Sequence, residues 1–527
     1  MQAPPPFQSY SDRSSYTDSW YSRATVYATD FEEITWKHKP ITGPEFFDRS
    51  LISRRIALFG IFVTVVFGVA CIFGGAKIFL SKKTISAGVV VLSFQHEWQR
   101  EAISLGLNLL VAVCTEATGF VHNITLRAAL ASESRLKFNT NLRLVTAAKG
   151  VFNPNGTVCN IVMAFLLIIS YSSSILATLA VNMDSSDDET GNAAVPSTVA
   201  ICVSDVPLIV LGTSLLLQAI IAIAGMWSAD VTTWSSSPFD ITAALVHHAQ
   251  VIPVPGRCMR GVDARKENGP AQPRKKQPSA WTARPSVRKV VVTLWVLVIA
   301  CLGWGLVVVH LIGGNMSAAI STWSFFPNSQ SYVKAYNIPL HTGLAWFYWV
   351  LYYLNTALVQ GPLTLVLHCS ELVTNVIRDE NAWRHATGKN GAKLSTNPLV
   401  LVFGSPLNLA LLCAKPVLHW MMGLAISLAG TADSEILTAV AVSMFPIQIL
   451  NLTGALFVFA FIFTIVTVVG RSGPQPAAYG HIQTLANLID EWSPVMWWGH
   501  KSTGSPYYHA GTDSRPLEEV KMYEWYA

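Results

Sequence analysis

The sequence predicts an all-α polytopic membrane bundle of about eight helices, and three observations carry that prediction. Over 527 residues the chain is 51% hydrophobic and only 13% charged, about half the charged share of an ordinary soluble domain. Its mean hydropathy is +0.40. The apolar residues arrive in long blocks rather than in alternation, as membrane helices require. Glycine at 34 and proline at 27 residues exclude a collagen-like or wholly disordered chain, and a soluble enzyme of this length is not expected.

A helix needs about 20 apolar residues to cross ~30 Å of hydrocarbon, because it rises ~1.5 Å per residue and lipid leaves no partner for a free backbone group. Eight blocks qualify, near 56–80, 102–124, 158–182, 206–227, 290–314, 342–368, 406–429 and 436–470. The last is long enough to kink at Pro446 or to project from the membrane.

Charge in the loops sets the expected orientation, since Lys and Arg of short loops stay in the cytosol. The three even-numbered loops carry 19 basic residues, ten of them in the central loop 228–289, while the odd-numbered loops carry four: Lys82, Lys83, Arg100 and Lys334. Both termini are therefore expected in the cytosol. Of the sequons, Asn123, Asn155 and Asn451 fall on the cytosolic side or within a span; only Asn315 faces outward, as a weak glycosylation site close to the membrane. No cleavable signal pattern opens the chain. Most of the eight cysteines lie within the apolar blocks or at their ends, and the exceptions, Cys202 and Cys258, are expected on opposite sides of the bilayer, so no disulfide is anticipated. The expected location is a plasma membrane or endomembrane.

Outside the spans, residues 1–50 are rich in Ser, Tyr and Asp without periodicity and read as a disordered cytosolic tail. In the central loop, Ser236-Ser237-Pro238 caps a short surface helix over 239–248, and the basic run 254–289 reads as a flexible segment attracted to anionic inner-leaflet lipid. Nucleic acid is not expected as a partner, because Trp281 is the only aromatic there. In the terminal segment 471–527, Ile482, Leu485, Leu488, Ile489 and Trp492 recur at three- and four-residue steps. They predict an amphipathic helix at the inner interface, packed on the bundle or presented to a partner.

Ionisable groups in hydrocarbon are costly unless paired or hydrated, so they mark the place to search for function. Glu116 lies about eight residues before the inner end of the second span and Lys415 nine residues past Pro406, which by helix rise puts both at a depth of ~12–14 Å. A carboxylate and an ammonium at one level satisfy each other, and removing either partner should hurt more than removing both. His419 shares the face of Lys415, and Pro416 frees a carbonyl one turn earlier. Glu116, Lys415 and His419 are the candidate binding residues, either as a site for an unidentified solute or proton or as an ion pair that fixes helix register. Ser170 to Ser174 around Tyr171 form a small-residue contact face or a hydrated groove. His368, Cys369 and Glu371, followed by Arg378, Asp379 and Glu380, read as a charged helix continuing into cytosol.

No nucleophile elbow, phosphate loop, zinc-protease motif or dinucleotide fingerprint occurs. Catalytic residues, metal ligands and cofactors are therefore not assigned. Several stretches nonetheless resemble a family of uncharacterised multi-pass membrane proteins of fungi, mushroom-forming ones especially. They are Gly106 to Leu110 through Gly119-Phe-Val-His122 and Leu126-Arg127, Phe138 to Arg143, Leu367 to Glu371 through Arg378 to Glu380 and Trp383-Arg384, Lys415 to Trp420, and Pro476 to Leu485 through Asp490 to Trp492. The resemblance implies a fungal source and no activity. The leading functional expectation is a transporter or permease-like protein; the second is a membrane scaffold or receptor-like protein acting through its cytosolic tails. A hydrated cavity reaching Glu116 and Lys415 would favour the first, a dry interior with an exposed apolar face over 481–492 the second.

Overall fold

The computed structural model describes residues 42–47, 51–80, 89–94, 97–183, 199–313, 320–321, 323–327, 331–339, 345–433, 436–502 and 506–527. Most of the expected tail 1–50 and the sequon at Asn315 lie outside the described residues. Eight helices are long and apolar enough to cross a membrane. They are α1 (Ile52–Leu80), α2 (Glu97–Ser132), α3 (Thr157–Leu176), α4 (Asp205–Ser228), α6 (Pro285–Leu311), α7 (Ala345–Cys369), α10 (Pro406–Ala425) and α11 (Pro446–Val468). Shorter helices between and after them include α5 (Pro238–His247), α8 (Glu371–Arg384), α9 (Pro398–Phe403) and α12 (Ile482–Leu488). The expected helical bundle is thus present, and its outer surface carries large exposed apolar side chains such as Phe59, Phe62, Phe73 and Ile299.

Small residues let the helices approach closely. A Cβ placed on Gly212 of α4 would meet the backbone carbonyl of Gly68 on α1, and one on Gly75 would lie 2.7 Å from the carbonyl of Asp205. This is the small-residue interface that substitutes for hydrophobic drive inside lipid.

Three spans are shorter than the hydropathy suggested. The third ends at Leu176, the seventh at Ala425, and the eighth begins at Pro446 rather than kinking there. Proline is pre-organised for the first helical turn and has no amide to leave unpaired, so Pro446 opens the helix, as Pro285 and Pro406 open theirs. The remaining apolar residues become strands β2 (Thr178–Met183), β5 (Ile426–Asp433) and β6 (Ile436–Met444). A continuous apolar run does not by itself distinguish strand from helix. With β1 (Val89–Phe94), β3 (Val199–Ser204) and β4 (Lys334–Pro339) they form a six-stranded sheet in the order β1-β3-β2-β5-β6-β4. Only the β2–β5 pairing is parallel. Every odd-numbered loop contributes to this sheet, which therefore marks one pole of the bundle.

The even-numbered loops and the C-terminal segment meet at the other, basic pole. Arg127 donates to Asn139 Oδ1 at 2.6 Å and to the Ser235 carbonyl at 2.7 Å. Asn139 in turn donates to Asp379 at 2.9 Å, and its amide reaches the Gly480 carbonyl at 2.8 Å. Asp379 and Glu380 are buried, so the charged continuation expected after His368 is an internal fastening and not a solvated helix.

The predicted amphipathic helix is correspondingly different. It spans only Ile482–Leu488, and the expected face of Ile482, Leu485, Leu488, Ile489 and Trp492 is entirely buried against residues such as Phe239, Leu245 and Trp383. Pro474 and Pro476 precede it, and Tyr479 and Gly480 take positive φ, which stops helix formation on that side. Trp498 is buried on β7 (Val495–Ser502) with its ring 6.4 Å from that of Trp383. The helix over 238–247 forms under the cap of Ser237 as anticipated, but it is buried rather than superficial. The run 254–289 is likewise no flexible segment: Cys258, Met259, Val262, Ala264, Ala280 and Ala283 all contribute to cores. Periodicity reported a buried face correctly; what buries it is the rest of the pole.

This polar module carries its own pH dependence. Asp490 accepts the Thr512 amide at 2.7 Å and lies 3.2 Å from both Lys501 Nζ and His509 Nε2. Burial is the largest influence on both titrating groups and opposes their charges. The bond from His509, with Lys501 beside it, outweighs burial and holds Asp490 down at about 2, while the bond to Asp490 raises His509 to about 10. The Asp490 contribution is complete above its ordinary value of 3.8 and is lost as pH falls through about 2. The His509 contribution is complete below 6.5 and is lost as pH rises through about 10. Amide exchange over 495–513 is therefore expected to be slower, relative to its intrinsic rate, at about pH 5 than at about pH 8.5. Asp490→Asn should abolish that difference; an unchanged difference would refute the linkage.

Candidate functional site: a buried charge centre

The two expected intramembrane charges meet. Lys415 Nζ donates to Glu116 Oε1 and, at 2.5 Å, to Glu371 Oε1. Three elements supply these groups: Glu116 comes from the middle of α2, Lys415 from the middle of α10, and Glu371 is the first residue of α8, separated from the end of α7 by Ser370 alone. His368, in the last turn of α7, stands three residues before Glu371 on the same face and approaches it at 3.0 Å through Nδ1. The same nitrogen lies 3.2 Å from Arg143 Nη2 and 3.5 Å from Lys415 Nζ. Arg143 also approaches Glu371 at 3.9 Å.

The sequence-level pair is therefore half of a larger centre. Two carboxylates, one ammonium, one guanidinium and one imidazole share it, and with His368 neutral the charges balance. The His368–Glu371 set, read from sequence as a separate interfacial feature, belongs to it. Arg143 was missed altogether. His368 and Glu371 sit at the inner end of the sixth span, ~12 Å from the predicted level of Glu116, so depth gave no signal for them, and for a loop arginine no positional signal existed.

His419 lies one turn beyond Lys415 but does not join the ion pairs. Its ring stacks on Tyr171, with centroids 3.7 Å apart and planes inclined by 19°, and its Nδ1 pairs with Gln360 Nε2. Tyr171 OH reaches Thr115 Oγ1 at 3.4 Å. Around this stack the serine face of α3 is buried and largely bonded to neighbouring helices: Ser170 to Ser214 and Gln218, Ser173 to Tyr353, Ser174 to Asn108. The contact-face reading of those serines is the one realised. Among the described residues, Nε2 of both His368 and His419 is buried without a hydrogen-bond partner.

Exposure distinguishes the charged partners. The Lys415 side chain is 1% exposed, whereas Glu371 is 17% and Glu116 29% exposed. The carboxylates face a cavity of about 140 Å³, whose wall also includes the amides of Asn123, Asn375 and Asn408 and, at the basic pole, Arg127 and Arg378. A void of ~150 Å³ accommodates a benzene-sized molecule. This one is lined by both signs of charge.

No protein family, no curated protein and no solved structure matches this chain. Its chemistry must be read from the residues themselves. Glu116, His368 and Glu371 bring three potential ligand atoms within 4.8 Å of one another. A metal ion would, however, have to displace the Lys415 ammonium from both carboxylates and compete with Arg143 for His368, so the donor set acts as an ammonium cage. What the centre can do is exchange partners: a proton or a cationic group at Glu116 releases one of the two bonds of Lys415 while Glu371 retains the other.

Proposed function

We propose that this multi-pass membrane protein carries a small polar solute bearing both signs of charge, with the Glu116–Lys415–Glu371 centre as the element that solute or proton binding switches. The observation that supports the reading is the cavity that reaches two carboxylates sharing one buried ammonium. A cationic group of the solute has Glu116 as its counterpart, and an anionic group has Arg127 and Arg378, which also line the cavity. Loading at Glu116 would leave the centre one positive charge in excess, which favours movement of Lys415 away from Glu116 and gives the binding event a mechanical consequence. The excess of basic residues in the even-numbered loops supports a cytosolic opening. The scaffold alternative has lost its main feature, because the apolar face over 481–492 is buried.

Alternating access makes a testable demand. In vesicles of defined orientation carrying a background without native thiols, Asn408→Cys should react with a membrane-impermeant maleimide from the basic-pole side. Ser174→Cys, beyond the Tyr171–His419 stack, should react from the opposite side only in the complementary state. Glu116→Gln should shift the balance between the two. Reaction of Asn408→Cys from neither side, or an inert Ser174→Cys under every loading condition, would defeat the carrier reading.

A further inference from the structure

A second cavity, of about 710 Å³, opens at the basic pole between the end of α2, the segment after α5, residues 263–267 and the start of α12. Its floor includes the buried Ala131, Leu245 and Ile482, and its rim carries Lys137, Arg265 and Lys266. No carboxylate among the described residues pairs with these three. The two acids at the rim are already engaged, Asp263 by Arg274 at 2.6 Å and Glu267 by Arg260.

Two further cations stand close behind. Arg257 is buried and donates only to carbonyls, of Ala264 at 2.8 Å and Arg265 at 2.7 Å. Arg284, also buried, donates to the Thr140 carbonyl at 2.5 Å and lies 4.1 Å over the Phe138 ring. Seven cations thus surround or support the cavity against two carboxylates, an excess of five positive charges. Burial first, and then Arg265, Arg284, Arg257 and Lys137, hold His481 on the cavity wall down at about 3. It therefore adds no charge of its own.

Such an excess is a standing electrostatic cost that a compact polyanion relieves. Carboxylates offer one charge each, whereas a phosphate group brings about −1.5 to −2 and three acceptor oxygens suited to Arg and Lys. The volume falls within the ~300–1,000 Å³ typical of small-molecule sites. We propose that this cavity binds a ligand carrying two or more phosphate groups. Ala131 lies 18 residues beyond Val113, the last large apolar side chain of α2 exposed on the outer surface. By helix rise that is ~27 Å, which favours a soluble polyphosphate over a lipid headgroup.

One short segment joins this cavity to the charge centre. Lys137 is on the rim, Phe138 packs between Arg284 and His481, Asn139 and Thr140 line the first cavity, and Arg143 holds His368. Regulation of transport through that segment would rest on the carrier reading; binding itself does not.

The test uses the full chain purified in detergent, titrated calorimetrically with inositol hexakisphosphate and with sodium tripolyphosphate at physiological salt. One-to-one binding is expected, weakened about tenfold or more in Lys137→Ala and Arg265→Ala and unaffected by Lys275→Ala/Lys276→Ala, two exposed lysines away from the cavity. Binding to vesicles containing phosphatidylinositol bisphosphate, but to neither soluble probe, would retain the phosphate site and assign it to a lipid headgroup. Absence of binding to all three probes, or affinity unchanged in the folded Lys137→Ala/Arg265→Ala double variant, would overturn the proposal whatever the transport measurements give.

Discussion

Lys415→Met is expected to be the most damaging single substitution within the bundle. It leaves the carboxylates of Glu116 and Glu371, which now share one ammonium, facing each other with Arg143 at 3.9 Å and His368 at 3.0 Å from Glu371. Removing one member of a buried charged set typically costs about 3–5 kcal/mol, and the yield of monodisperse protein and its thermal midpoint in detergent should both fall. Glu116→Gln should be far milder, because Lys415 keeps Glu371 at 2.5 Å and Glu116 is the more exposed partner. Sequence alone predicted harm from either change; the second carboxylate makes the two unequal. Adding Glu116→Gln to Lys415→Met restores the charge balance through Arg143 and Glu371 and should recover much of the loss. Strict additivity of the two substitutions would mean that the groups are not coupled.

Glu380→Ala is expected to release the C-terminal segment while leaving the eight long helices assembled. Glu380 is fully buried and accepts three bonds: from Arg384 Nε at 2.8 Å and from the backbone amides of Ala478 at 2.9 Å and Tyr479 at 2.7 Å. Arg384 retains the Gln475 carbonyl at 2.9 Å, but the two amides would be left buried and unpaired. The loss should be roughly 3–5 kcal/mol, concentrated where the chain enters α12. Limited proteolysis should then cut within 476–492 at protease levels that spare the parent protein, with Glu380→Gln intermediate because it keeps one acceptor oxygen. Uniform destabilisation without preferential cleavage there would show that Glu380 does not fasten this segment.

Why some of this was legible in the sequence and some was not follows from what each signal measures. Helix rise converts residue counts into depth, so Glu116 and Lys415 could be matched before any contact was known, and His419 could be put on the same face. Depth says nothing about rotation around a helix axis, and so the stacking of His419 on Tyr171 and the arrival of Glu371 were out of reach. Hydropathy reports burial in lipid or protein without reporting backbone geometry, which is how residues 426–429 and 436–444 read as helix although they belong to strands. The periodic face of 482–492 was real, but periodicity does not name the surface that covers it. Here it is α5 and α8 rather than the headgroup layer.

The pairing of Glu116 with Lys415 has a consequence for the order of biosynthesis. The two residues are 299 positions apart, and a ribosome adding about 5–20 residues per second separates them by roughly 15–60 s. Throughout that interval the second span holds a carboxylate whose ammonium partner has not been made. Its mean hydropathy of 1.5 and that of 1.3 for the seventh span are among the lowest of the eight. These two helices are thus among the least apolar of the eight, and the carboxylate of the earlier one has its ammonium partner only after the seventh span is made.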